Sequence, residues 1–327
     1  MGTQYVSFPG LGIYSLPIDR VAFSFNLGDQ KINIYWYGLI IAAAFLVCFL
    51  LAVKQAPKYG IKSDHIVDTA LLIMILAIIG ARLYYVIFSW DEFSDDLMRI
   101  FQTRHGGLAF YGGLIGGIIA LVIITKRKKI NLIHLADFLA VYVPLGHAIG
   151  RWGNFFNQEA FGTNTDLPWG MYSEQTYQYL SQYGDKYAPL SPVHPTFLYE
   201  SIANILIFII LYQIRKNSKK RGETLAWYFI LYGIVRFGIE GLRTDSLFIG
   251  NTTIRASQAL SLLFVILGVI VLVYISRRKQ VKDLAEAGEI MDPETSETEF
   301  KSDFVLLNAL DSSNEDRTID ETTEIDK

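Results

Sequence analysis

Arg236, Glu240 and Arg243 stand four and three residues apart, a spacing that puts them on one face of a helix. Arginine offers a planar, two-pronged donor that suits phosphate. On such a face Glu240 can pair with one arginine and leave the other for a ligand. Arg151, Asn154 and Asn157 repeat every three residues, again one face if the stretch is helical, and their amides can orient a polar headgroup. His105 precedes Gly106-Gly107, a pair able to free backbone N–H groups for an anion, and His194 opens another polar block. The set is rich in arginine and poor in free carboxylate, so its chemistry is anion binding. No His/Cys/Asp/Glu spacing suits a metal, and no Ser-His-Asp arrangement or phosphate loop is visible.

The elements that carry these residues read as membrane spans. About half of the 327 residues are apolar and only 19% are charged, below the roughly 25% of a soluble chain. A helix needs about 20 mostly apolar residues to cross a bilayer. Seven stretches qualify: residues 34–53, 66–89, 106–125, 132–150, 195–214, 224–242 and 256–276. They do not alternate as the strands of a membrane β-barrel would. The expected fold is an all-α polytopic membrane protein with seven transmembrane helices. Residues 1–33 form an extracytoplasmic N-terminal segment, 34–276 the membrane domain, and 151–194 a small extracytoplasmic head within it. No basic stretch precedes the first apolar run, so no cleaved signal peptide is expected.

Charge sets the orientation. Lys54, Lys58 and Lys62 follow the first span, Lys126 to Lys129 the third, a cluster from Arg215 to Arg221 the fifth, and Arg277 to Lys282 the seventh. These 16 bases on alternate connections predict an outside N-terminus and a cytoplasmic C-terminus. From Asp283 onward the chain holds 15 acidic and three basic residues against 17 and 26 before it. Residues 277–327 therefore read as a disordered, solubilising acidic tail. The single cysteine, Cys48, excludes an internal disulfide.

In that topology Tyr37, Arg82, His105, Arg151, His194, Arg236, Glu240 and Arg243 all come to the outer side. Intramembrane charge is costly and marks function, and an anion bound there beside apolar walls is most simply a phospholipid headgroup. Structural readings stand beside this one. Arg236 and Glu240 also suit a plain interhelical ion pair, and Gly112, Gly113, Gly116 and Gly117 suit close helix packing. His134 and His147 suit hydrogen-bonded core positions, Asp68 and Asp137 capping, and the basic clusters orientation alone. At this level two functions stay open, an outer-leaflet enzyme on an anionic lipid and a transporter of an anionic solute. The transporter predicts polar groups at mid-bilayer and on both sides. A scaffold would explain the tail but not the arginines.

The run Gly150-Arg-Trp-Gly-Asn-Phe-Phe-Asn-Gln-Glu-Ala-Phe-Gly162 resembles the signature of the bacterial prolipoprotein diacylglyceryl transferases. His105-Gly-Gly-Leu-Ala-Phe-Tyr-Gly-Gly113, His194-Pro-Thr-Phe-Leu-Tyr-Glu200, Arg236-x-x-x-Glu240-x-x-Arg243 and Trp36-Tyr-Gly38 resemble further blocks of that family. The His194–Glu200 block departs at Phe197, where many members have Gln. The resemblance implies transfer of the diacylglyceryl group of phosphatidylglycerol to the lipobox cysteine thiol of a prolipoprotein, at the outer face of the cytoplasmic membrane. No cofactor, no metal and no nucleic-acid partner are expected. For that reaction His105, a histidine at the correct depth, is the candidate base, and Arg151 and Arg236 are the candidates to hold the phosphate. Asn154 and Glu159 would position the headgroup or Arg151, and Glu240 would keep Arg236 and Arg243 in register. Tyr37 would line the pocket, with Gly162 and His194 also on the lipid side.

Overall fold

A computed structural model describes residues 3–28, 30–102, 106–218, 220–250 and 252–276. His105 and the acidic tail lie outside the described residues. The chain is mostly helical, but it is not all-α. β1 (Gln4–Phe8), β2 (Ile13–Ile18) and β5 (Tyr172–Ser173) form an antiparallel sheet in the order β2-β1-β5. β3 (Val21–Leu27) and β4 (Gln30–Tyr35) form a hairpin. Phe23, Phe25 and Leu27 alternate with polar residues, and so do Ile32 and Ile34, around a turn that Gly28 enters at φ 61°. Period-two alternation around a glycine turn is a strand signal, and it replaces the plain N-terminal segment expected before residue 34.

The helices are α1 (Trp36–Gln55), α2 (Ser63–Phe88), α3 (Phe110–Lys128), α4 (Leu132–Ala140), α5 (Tyr142–Asn157), α6 (Glu174–Ser181), α7 (Thr196–Asn217), α8 (Glu223–Leu242) and α9 (Ala256–Ser276). By length and composition six of them can cross a membrane, and up to seven spans result if α4 and α5 count as one. Those two meet at a 43° bend. Pro144 explains the break: it lacks an N–H and clashes with the carbonyl four residues earlier, which is that of Ala140. The expected fourth span also ends too early. α5 runs on to Asn157, so Arg151 sits within the helix instead of ending it.

The described residues divide into two compact units, one of residues 3–52 with 133–276 and the other within residues 53–132. In the second, α2 and α3 cross at glycines. A Cβ on Gly112 would lie 2.2 Å from the Gly80 carbonyl oxygen, and one on Gly116 2.1 Å from that of Leu76. Gly113 and Gly117 have room, so two glycines of the four set this approach. Asp68 pairs with Lys128 at 2.6 Å.

In the first unit α5 packs on α7, α7 on α8, and α8 on α9. Gly233 and Gly268 allow the last of these approaches. Asp137 of α4 accepts from the Leu225 amide at 2.8 Å and so caps α8 from a neighbouring helix. Arg215 is more than an orientation signal. It is buried, donates to the Phe138 carbonyl at 3.1 Å, and lies over the rings of Phe138, Tyr142 and Tyr212. The head shares its core with the N-terminal sheet: Val6, Ile18, Phe155, Phe161, Met171, Leu180, Val193 and Phe197 are buried together. Phe197 is an aromatic core residue there, 4.9 Å from Phe155 and 5.5 Å from Trp152.

Candidate active site

Three helices of the first unit converge on one carboxylate. Glu200, in the first turns of α7, is 3% exposed. Its Oε2 meets Arg151 Nη2 of α5 at 2.6 Å, and its Oε1 meets Arg236 Nη1 of α8 at 3.1 Å. Arg236 Nη2 reaches Glu240 Oε2, one turn along α8, at 2.6 Å. The two carboxylates lie inside, with side chains 4% and 2% exposed, whereas the side chains of Arg151 and Arg236 are 22% and 16% exposed. A ligand therefore meets the arginines first. A guanidinium has five N–H donors. Arg151 uses one toward Glu200 and one toward Asn154, and Arg236 one each toward Glu200 and Glu240. Each keeps three donors without a partner among the described residues.

The spacing of Arg151, Asn154 and Asn157 does form a helical face. Arg151 Nη1 donates to Asn154 Oδ1 at 3.2 Å. Asn154 Nδ2 donates to Glu159 Oε1 at 2.9 Å, and Asn157 Nδ2 donates to the same oxygen at 3.2 Å. Gln158 and Ala160 have positive φ, 53° and 58°, and end the helix so that Glu159 folds back beside it. Tyr37 also belongs here. A Cβ on Gly153 would lie 2.7 Å from its ring, so the glycine makes the space the ring occupies. Its hydroxyl is within electrostatic range of Arg151 and Glu159.

Arg243 departs from the expected register. Its Nε and Nη2 bind both oxygens of Asp245 at 2.8 and 2.6 Å, and the Glu240 carboxylate pairs with Arg236. Partial burial works against both charges, yet the pair outweighs it. The Asp245 carboxylate carries Arg243 above its ordinary pKa, and the Arg243 donors hold Asp245 below the usual carboxylate range. Arg243 is fixed instead by backbone: Gly162 bridges to it, and the Thr163 amide donates to the Leu242 carbonyl at 2.8 Å.

Gly162 and His194 serve this seam. The Gly162 amide donates to the His194 carbonyl at 2.9 Å, and a Cβ there would come within 2.7 Å of His194 Cβ. His194 Nδ1 lies 3.1 Å from the Tyr199 hydroxyl, which accepts from Trp169 Nε1 at 2.8 Å. Burial lowers the His194 pKa, so it is neutral near pH 7. His147 is not the hydrogen-bonded core residue expected: its ring faces Tyr232, and Nδ1 has no partner among the described residues. Arg82 belongs to the other unit, where backbone carbonyls take up its donors.

Three further groups carry no local sequence signal. Glu200 joins the two arginines. Arg255 donates to the Glu240 carbonyl. Arg20 donates to the Asn157 carbonyl at 2.7 Å and ties the N-terminal strands to the end of α5.

The arrangement can hold a singly or doubly charged oxyanion on two guanidiniums whose own counter-charge lies behind them. The family model for prolipoprotein diacylglyceryl transferase matches residues 22–274. The phosphatidylglycerol–prolipoprotein diacylglyceryl transferase of Clostridioides difficile is 45% identical over 263 residues, 80% of this chain and 98% of that protein. The protein of the same name from Finegoldia magna is 44% identical over 265 residues, 81% of this chain and 98% of its own. That from Listeria monocytogenes serovar 1/2a is 42% identical over 258 residues, 79% and 90% of the two chains. On a match of that extent, the chain belongs to the prolipoprotein diacylglyceryl transferase family.

Proposed function

We propose that this protein transfers the diacylglyceryl group of phosphatidylglycerol to the lipobox cysteine thiol of a prolipoprotein, and that Arg151 and Arg236 hold the lipid phosphate. The observation that carries the site assignment is the pair of partly exposed arginines on one buried carboxylate, each with donors to spare. The placement of basic clusters supports a cytoplasmic C-terminus and a reaction at the outer leaflet of the cytoplasmic membrane.

The thiol sulfur attacks the glycerol carbon bonded to phosphate. A C–S bond forms, the C–O bond breaks, and its electron pair leaves with glycerol phosphate. A free thiol is only a few per cent thiolate near pH 7, so the thiol proton must pass to a base. His105 takes that role in this reading. Charge grows on the leaving phosphate as the C–O bond lengthens, and the spare donors of Arg151 and Arg236 meet it. Removing one such contact raises a barrier by about 3–4 kcal/mol, roughly 10²–10³ in rate. Glu200 and Glu240 hold the two forks, Asn154 and Glu159 hold Arg151, and Tyr37 lines the approach. Gly162 and His194 act on the lipid side through the seam they share.

The test is an in vitro transfer with purified protein, phosphatidylglycerol and a lipobox peptide, read by mass spectrometry. A diacylglyceryl adduct is expected on the cysteine peptide only, absent with a Cys→Ser peptide and with Arg151→Ala. No adduct from folded, lipid-supplied protein refutes the reading, and anion flux in liposomes would then favour transport.

A further inference from the structure

The geometry points to a second tier of the candidate site, one helical turn further in, where His147 and Tyr232 donate to an ester carbonyl of the diacylglyceryl group. This rests on the reading that Arg151 and Arg236 hold the lipid phosphate. Each helix that meets at Glu200 carries another polar residue one turn deeper into its span, on the same face. His147 stands four residues before Arg151 on α5, Asn204 four after Glu200 on α7, and Tyr232 four before Arg236 on α8. Further in, Ile207, Leu211 and Tyr228 belong to a buried apolar cluster.

α7 packs on both α5 and α8, so it floors a groove that has those two helices as walls. Asn204 on the floor is 1% exposed, and its Nδ2 donates to the main-chain carbonyl of Glu200 at 2.7 Å. His147 and Tyr232 are half-buried on the walls, and their ring centroids stand 5.2 Å apart. Both lie within electrostatic range of Arg151 and Arg236. His147 Nδ1 and Asn204 Oδ1 are buried with no partner among the described residues. An unpaired buried polar atom costs folding energy that an apolar side chain avoids, and polar groups kept within a span mark function.

The make-up of this tier says what it takes. It carries no arginine or lysine, so it offers little to a second phosphate. A neutral imidazole has one N–H and a phenol one O–H, both donors for an uncharged acceptor. Four residues of helix rise about 6 Å. In a glycerophospholipid the ester groups follow the phosphate by a few bonds on the acyl side, and the acyl chains run toward the bilayer interior. With the phosphate on the arginines, an ester carbonyl reaches the inner tier, bringing an acceptor and no charge. The same contact holds the carbon that the thiol attacks between the two tiers.

The test compares diacyl phosphatidylglycerol with its dialkyl ether analogue, which keeps the phosphate, the headgroup and the reacting carbon but lacks both carbonyls. The full chain in detergent transfers each lipid to a lipobox peptide at steady state. Where the ether lipid is not turned over, its inhibition constant against the ester lipid stands in for KM. The native chain is expected to show a KM for the ester lipid roughly fivefold below that for the ether lipid, the worth of one hydrogen bond. His147→Leu is expected to raise the ester KM to the ether value and leave the ether KM unchanged. His147→Gln, which keeps an N–H, is expected to restore the preference. Equal KM values for the two lipids in the native chain would overturn the inference alone. So would His147→Leu raising both KM values alike, which marks a residue that only supports the arginines. If His147→Leu does not fold, Tyr232→Phe, which removes one hydroxyl, enters the same comparison with the same expectation. A folded native chain that transfers neither lipid removes the transfer reading and this inference with it.

Discussion

Glu200→Gln separates the two jobs of the buried carboxylate. Glutamine keeps the shape and one acceptor oxygen, but it turns an NH2 toward the other arginine. Glu200 now forms an ion pair with Arg151 at 2.6 Å and accepts from Arg236 at 3.1 Å, so one of these contacts is lost. The freed fork then meets the leaving phosphate out of line. The loss of one aligned donor set costs about 3 kcal/mol of transition-state stabilisation, roughly 10²-fold in kcat. Binding moves the other way. A phosphate on the open side of the arginines lies about 6 Å from the carboxylate, where repulsion at an effective dielectric near 20 reaches about 2–3 kcal/mol. Removing that charge strengthens ground-state binding of the anionic lipid, and KM should fall by up to about 30- to 150-fold. The assay is steady-state transfer to a lipobox peptide over a range of phosphatidylglycerol, with melting in detergent as the folding control. A raised KM with unchanged kcat would refute the reasoning, because it would make Glu200 a ligand for the headgroup and not the holder of the arginines.

Gly153→Ala puts a Cβ 2.7 Å from the Tyr37 ring, so the ring must leave its place; transfer should fall at least tenfold, the order expected for a misplaced site group, measured in the same assay. Gly116→Ala drives a Cβ to 2.1 Å from the Leu76 carbonyl oxygen. Overpacking of this kind costs about 1–3 kcal/mol, so the melting temperature in detergent should drop, whereas Gly117→Ala, which has room, should leave it nearly unchanged. His194 has a folded pKa below its unfolded one. Its contribution to stability is therefore present above the unfolded pKa, about 6.5, and is lost as pH falls toward the folded value. Melting of the native chain should decline on acidification across that window, and His194→Asn should remove that part of the decline.

The arginine face of α8 and the three-residue repeat of α5 were legible because both are local. Helix periodicity alone brings Arg236 beside Glu240, and Arg151 beside Asn154. The apolar runs revealed the long helices for the same reason. Glu200 was not legible. Nothing within α7 marks it, and its role arises only where α7 meets α5 and α8. The register of Arg243 failed similarly. Its partner Asp245 is two residues on, past the helix end, where the i,i+3 rule does not apply. The N-terminal strands were legible in principle, since Phe23, Phe25, Ile32 and Ile34 alternate around Gly28. The search for 20-residue apolar runs passes over such short alternation. The kink before Tyr142 was written in Pro144, inside a run apolar enough to read as one span.

Arginine type does not distinguish a binding arginine from a structural one; its acceptors do. Arg82 faces backbone carbonyls, which are dipoles. No carboxylate pairs with it among the described residues, yet every donor is occupied, so a phosphate could bind only by stripping several hydrogen bonds from a buried turn. Arg151 and Arg236 face Glu200 and Glu240, which neutralise them, but two contacts each leave most donors free. Counting net charge would rank Arg82 first as an anion site and the paired arginines last. Counting open donors reverses the order. The reversed order also suits turnover. An unpaired guanidinium pair would hold the doubly charged product as firmly as the transition state, whereas a carboxylate behind each fork weakens both, and leaves a neutral network for the next lipid to meet.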